Sequence, residues 1–240
     1  MTNVAQLLAP GEELLLVGVT GSTAYGLATE DSDVDRLGIY HVPTETVLGL
    51  NFNMARASRV STDPDAQLHE IGKFVGLALK ANPTVTELLY LDGYEVRDPR
   101  IEPLFKIRSK LLGQRSVRTA YAGYASAQAH RLAKRQAEGR DGFNSDLAKR
   151  TAKHARHCFR LMLQAEQLLV SGEITVDVSR HRDELFAIGE LAENDVAAFV
   201  ARFDERSQEI DRLESDLPEE PDWEAAEAFL RQFRIDNLDT

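Results

Sequence analysis

One cysteine in 240 residues, Cys158, rules out an intrachain disulfide and makes the cytoplasm the default compartment. Long apolar runs are also missing: none approaches the roughly 20 residues that span a bilayer, so no membrane partner is expected. The opening MTNVAQLLAPGEELLLVGV has no basic segment before its apolar stretch, which argues against a secretory leader. Cations are scarce, with 28 Lys and Arg against 39 Asp and Glu and a net charge of −11. Such a chain does not coat nucleic acid nonspecifically. Internal repeats and low-complexity tracts are absent as well. What is there, 43% apolar and 28% charged residues, is the composition of a soluble globular protein.

The hydrophobic pattern changes along the chain. ELLLVGV (13–19) is a short continuous apolar run ending at a glycine turn, the pattern of a buried strand. STAYGLA has room for one or two helical turns, and VDRLGIYHV (34–42) reads as a second strand. MARASRVST (54–62) alternates as a third strand would, and AQLHEI (66–71) leads into the helical period of GKFVGLALKAN, closed by Asn82-Pro83. TVTELLYLDGYEV holds a further short helix or strand. Beyond about Leu112 the texture is helical: 116–139, then the loop GRDGFN, then a long helix that Ser145 caps and Gly172 ends. PEEPD breaks the chain before a last helix with Asp222 as its cap. The expected fold is α+β: residues 1–112 form a mixed β-sheet with flanking helices, and 113–240 form an all-helical domain closing a cleft.

Within GVTGSTAYGLATEDSDVDRLGIY, Asp31, Asp33 and Asp35 occupy alternate positions, and their mutual repulsion needs a cation or solvent to relieve it. A calcium loop counted from Asp31 wants Gly sixth and Glu twelfth, but Arg36 and Val42 stand there. A Walker-type phosphate loop fails because GSTAYG lacks the Gly-Lys-Ser/Thr ending. On a strand, however, residues i and i+2 face the same way, so Asp33 and Asp35 would converge on one point. Two Mg²⁺ ions about 3.5–4 Å apart would bridge such carboxylates and hold phosphate oxygens. Gly21-Ser22, at the opening of a short helix, offers N–H groups and a hydroxyl to the phosphates. For a third acid, Glu70 sits between apolar neighbours at the end of a strand; Asp63 and Asp65 are rivals in a turn-like STDPD.

The block GSTAYGLATEDSDVDRLGIY resembles the signature of minimal nucleotidyltransferases of the DNA polymerase β superfamily: strand, Gly-Ser, then Asp-x-Asp. More narrowly, it is similar to a bacterial and phage nucleotidyltransferase family associated with RNA repair pathways. The likeness continues through HEIGKFVGLALKANPTVTELLY, KHARHCFRLMLQAEQLLVSGEITV and SDLPEEPD, and so covers most of the chain. It implies Asp33, Asp35 and Glu70 as catalytic metal ligands, and Gly21 and Ser22 as triphosphate contacts. Asp31 becomes a turn or outer-shell residue. The implied reaction is Mg²⁺- or Mn²⁺-dependent transfer of a nucleoside monophosphate from an NTP such as ATP to an acceptor hydroxyl, releasing pyrophosphate. RNA or tRNA 3′ ends, a protein and a small molecule are all acceptors compatible with it. Its rivals are a non-catalytic nucleotide sensor or partner-binding protein on the same fold and a toxin-like protein AMP-transferase.

A local basic stretch, from Arg131 through Lys134, Arg135, Arg140, Lys149, Arg150, Lys153 and Arg156 to Arg160, interrupts the acidic background and fits a bound polyphosphate. Lys153, His157 and Arg160 share one helix face at i, i+4 and i+7, and the resemblance running through them implies nucleotide or acceptor contacts. Tyr25 is expected either to line the nucleotide site or to pack beneath the Gly-Ser turn. Cys158 falls in an apolar register, so packing rather than zinc binding is expected of it and of its neighbours His154 and His157.

Overall fold

In a computed structural model that describes residues 3–30, 32–137 and 145–238, the chain divides into two compact units. The first joins Met1–Gly113 to Glu220–Thr240, and the second is Gln114–Glu219. Asp31, Glu138, Arg140, Asp141 and the expected loop at 139–144 lie outside the described residues.

In the first unit, β1 (Glu13–Thr20) runs into the single helical turn α1 (Gly21–Ala24), and β2 (Asp35–His41) returns beside β1. After α2 (Thr44–Leu48) come β3 (Ser58–Thr62), β4 (Asp65–Glu70), α3 (Ile71–Ala78), α4 (Pro83–Leu88), the two-residue β5 (Val96–Arg97) and α5 (Glu102–Lys106). Met54–Arg56, expected at the start of the third strand, form a helical turn instead. The sheet order is β3-β4-β2-β1-β5, with β2 and β4 parallel and the other neighbours antiparallel. It is thus the mixed sheet of an α+β fold.

Two glycines identify the sheet's faces. A Cβ on Gly18 would meet Leu88, Leu91 and Tyr94, so this face lies under α4 and the loop after it. A Cβ on Gly38 would meet Val17 and Leu68, which belong to the opposite face. There Val4, Val17, Tyr40, Val42, Ala66 and Leu68 form a buried cluster. Because side chains alternate along a strand, positions 35, 37 and 39 of β2 face α4, while 36, 38 and 40 face the cluster.

The second unit contains α6 (Gln114–Val117), a π-helical turn over 118–122, α7 (Gly123–Ala137), α8 (Ser145–Ser171), α9 (Arg182–Asn194) and α10 (Val196–Asp211). Helix α8 ends where Gly172, at φ +69°, donates its N–H to the Leu168 carbonyl at 2.8 Å. Phe159, Phe199 and Phe203 pack together with ring centroids 6.0–6.4 Å apart. Cys158 is buried with its thiol against the Ala125 carbonyl, and burial pushes it up to about 12.

The last helix, α11 (Trp223–Asp236), belongs to the first unit, so the helical unit is 114–219 and not 113–240. Its apolar side, Ala226, Phe229 and Phe233, is buried, and α11 lies beside α3 and the turn at 108–111. The Asp222 N–H on the Lys110 carbonyl, at 2.8 Å, ties the returning chain down. Sequence periodicity reveals an amphipathic helix here but not which unit its apolar side joins.

Candidate active site

The end of the sheet where β1 stops and β2 begins brings the Gly-Ser turn and an aspartate together. Thr20 and Asp35 are paired across β1 and β2, so Gly21 emerges directly opposite Asp35. Gly21 has φ +69°, and a Cβ there would lie 1.9 Å from Asp35 Oδ2. Only a residue without a side chain lets the turn rest on that carboxylate. Ser22, half-buried, follows in α1. Asp33 is exposed just ahead of β2, two residues before Asp35, rather than on the strand itself. Arg36 points to the other face, where its guanidinium makes a two-pronged contact with Glu95 at 2.8 and 3.0 Å.

Glu70 is not part of this cluster. The parallel register pairs Arg36 with Ala66 and Tyr40 with Glu70, which sets Glu70 at the far end of β2. Five residues of strand separate the two levels, about 16 Å. Parity separates them too, because Glu70 shares the face of Ala66, Leu68 and Tyr40, not that of Asp35. Its carboxylate is completely buried, accepts the Gly72 N–H at 2.7 Å as the cap of α3, and is ion-paired with Arg234 of α11. Arg234 also donates to the Val42 carbonyl at 3.4 Å. The same register places Asp65, the first residue of β4, level with Asp35 on the neighbouring strand and on the same face. Asp65 is exposed, whereas Asp63 lies in the turn before it. His69, next to Glu70, is buried with Nδ1 2.8 Å from Ser58 Oγ; burial, reinforced by Lys73, lowers it to about 4.

Tyr25 closes α1, and its hydroxyl donates to Glu87 Oε2 at 2.7 Å. Sequence reasoning gave Glu87 no role at the site, and nothing short-range links two residues 62 positions apart.

A match to RlaP, the RNA repair pathway DNA polymerase beta family, spans residues 4–232. The chain belongs to that family. No curated protein matches the chain. Among solved structures, it is similar to a nucleotidyltransferase-like protein from Exiguobacterium sibiricum 255-15, with 12% identity and a TM-score of 0.33 over 87% of this chain and 73% of the other. Membership in a polymerase-β-type family supports a transferase of nucleotidyl groups. Among the described residues, no helix is long and apolar enough to cross a membrane.

Of the family-implied residues, Lys153, His157 and Arg160 lie on α8 and belong to the second unit, whereas Gly21, Ser22 and Asp35 belong to the first. Lys153 is exposed, but Arg160 is buried and bonds to Gln164 Oε1 at 2.9 Å and to His157 Nδ1 at 3.1 Å. Burial, then Arg160, His154 and Lys153, lower His157 to about 3, so its ring is neutral at physiological pH. Arg156 lies over the Phe186 ring at 4.5 Å. The i, i+4, i+7 spacing correctly places three residues on one side of the helix, yet that side turns inward at Arg160.

Among the described residues, no three His, Cys, Asp or Glu side chains are gathered closely enough to form a ready-made metal cage. The donor chemistry at the Asp35 end nevertheless suits a hard divalent cation. Asp33, Asp35 and Asp65 offer only carboxylate oxygens, the ligands Mg²⁺ takes a few at a time alongside substrate phosphates.

Proposed function

We propose that this protein is an NTP-dependent nucleotidyltransferase of the cytoplasm, moving a nucleoside monophosphate to an acceptor hydroxyl. The observation that carries the reading is the contact of Gly21 with Asp35, which puts a phosphate-gripping turn and a carboxylate side by side. Asp33 and Asp35 would hold Mg²⁺ or Mn²⁺, and the strand register favours Asp65 over Glu70 as the third acid. The bound cation supplies charge neutralisation at the triphosphate and makes a coordinated hydroxyl more acidic. The chain's own residues do the rest by position. The Gly21-Ser22 backbone N–H groups and the Ser22 hydroxyl bind phosphate oxygens, and the fixed turn aligns the α-phosphorus. With positioning and electrostatics supplying the catalysis, no side-chain nucleophile is needed. The family's description as an RNA repair group favours an RNA 3′ end as acceptor.

The test is incubation with each α-labelled NTP, Mg²⁺ or Mn²⁺, and total RNA or cell extract. Label should pass to an RNA with release of pyrophosphate, and Asp35→Asn should abolish it. Label appearing on protein would instead redirect the acceptor, and no metal-dependent transfer with any NTP would overturn the reading.

A further inference from the structure

Glu87 is a fully buried carboxyl on α4 that takes no part in the proposed chemistry. Burying such a group is costly unless hydrogen bonds repay it, so its partners are informative. One partner is Tyr25, whose hydroxyl reaches it at 2.7 Å from the residue that closes α1.

Helix α1 has little to hold it in place by itself. It is four residues long, far below the length at which a helix is stable alone. Local backbone bonds close it: Tyr25 to Gly21 at 3.2 Å, Gly26 to Thr23 at 3.2 Å and Leu27 to Ser22 at 3.0 Å. Helix α4, in contrast, is firmly placed. Asn82 caps it by accepting the Val85 N–H, Pro83 opens it, and Val85, Leu88 and Glu87 are buried where it lies against β1. A Cβ at Gly18 would lie 3.1 Å from Leu88, so strand and helix are in close contact. The Tyr25 ring therefore spans from a rigid element to a marginal one.

We propose that the Tyr25–Glu87 hydrogen bond is a strut that holds the Gly21-Ser22 turn against Asp35, making Glu87 a positioning residue for the triphosphate. This inference rests on the nucleotidyltransferase reading of the site. It explains why a buried carboxyl sits beneath a phosphate-binding turn without touching the phosphates. It also gives Tyr25 the role of support under the turn instead of contact with the nucleobase.

The experiment uses the full chain and two readouts. The first is the dissociation constant of each Mg²⁺-NTP without acceptor. The second is hydrogen exchange of the Tyr25, Gly26 and Leu27 amides. Tyr25→Phe should weaken NTP binding about tenfold, the scale of one lost hydrogen bond to a carboxyl. It should also speed exchange of those three amides by more than it speeds exchange of the β1 amides, which report the global loss of stability that follows from removing a donor to a buried carboxyl. Glu87→Gln, whose amide oxygen still accepts from Tyr25, should largely retain both properties. In NTP binding, Tyr25→Phe combined with Glu87→Gln should be no worse than Tyr25→Phe alone, because the strut is already cut in Tyr25→Phe. If the wild type binds NTP and Tyr25→Phe binds equally well, the strut is overturned and the enzyme reading stands. A wild type that binds no Mg²⁺-NTP overturns the enzyme reading and, with it, the role assigned to Glu87.

Discussion

Gly21 illustrates how one absent methyl group organises the site. Its backbone is left-handed at φ +69°, and the place of its Cβ is filled by the Asp35 carboxylate. Gly21→Ala therefore faces two penalties: a conformation costing about 1–2 kcal/mol for an L-residue, and a collision that moves either the turn or the acid. Urea unfolding should show at least that loss, and NTP affinity should fall further than stability alone explains. Asp35→Asn keeps the shape and removes the charge. It should fold normally, and at saturating Mg²⁺ its transfer rate should drop by more than about 10²-fold, the scale of losing one preorganised electrostatic group. Near-normal turnover by folded Asp35→Asn would refute the placement of the cation at this end of the sheet.

Elements decide which acid joins Asp35. The closeness of Gly21-Ser22 to Asp35 is legible in the sequence because it depends on one strand, one turn and the next strand, whereas Asp33, expected on that strand, precedes it. Which acid lies level with Asp35 is not legible, because it depends on how β4 aligns with β2, a non-local pairing set partly by the β3–β4 hairpin. A shift in parity moves every side chain of a strand to the other face, and Glu70 is on the wrong face and at the wrong end. The apolar neighbours that single out Glu70 in the sequence reflect its burial as a helix cap. The two candidates have opposite expected phenotypes. Asp65→Asn should fold like the wild type and lose transfer by about 10²-fold or more. Arg234→Met leaves Glu70 buried without that guanidinium and should cost about 3–5 kcal/mol in stability, as removal of one partner from a buried ion pair does. If Glu70→Gln folds well and is inactive while Asp65→Asn is active, the register argument fails.

At the scale of the whole molecule, the two units should both respond to acid through neutral imidazoles. Burial, then Arg234 and Arg100, lower His41 to about 4; His69 likewise lies at about 4, and His157 in the second unit lies at about 3. Their ordinary value is 6.5. Between that value and the folded one, the unfolded chain binds more protons than the folded chain, so stability rises with pH. The contribution is fully present above about pH 6.5 and is lost as pH falls toward the folded values, with a slope of at most about 1.4 kcal/mol per pH unit for each histidine. Trp223, the one tryptophan, lies in α11 and reports on the first unit. Exchange of the α8 amides reports on the second. Urea unfolding at pH 7 and pH 5 should show both signals shifting to lower urea in acid. His157→Asn retains an acceptor for Arg160 but removes the titrating ring. It should flatten the pH response of the α8 amides by about one proton's worth while leaving the Trp223 transition as pH-dependent as before. An unchanged α8 response would mean that His157 is protonated in the folded chain, contrary to its burial between Arg160 and the Tyr124 ring.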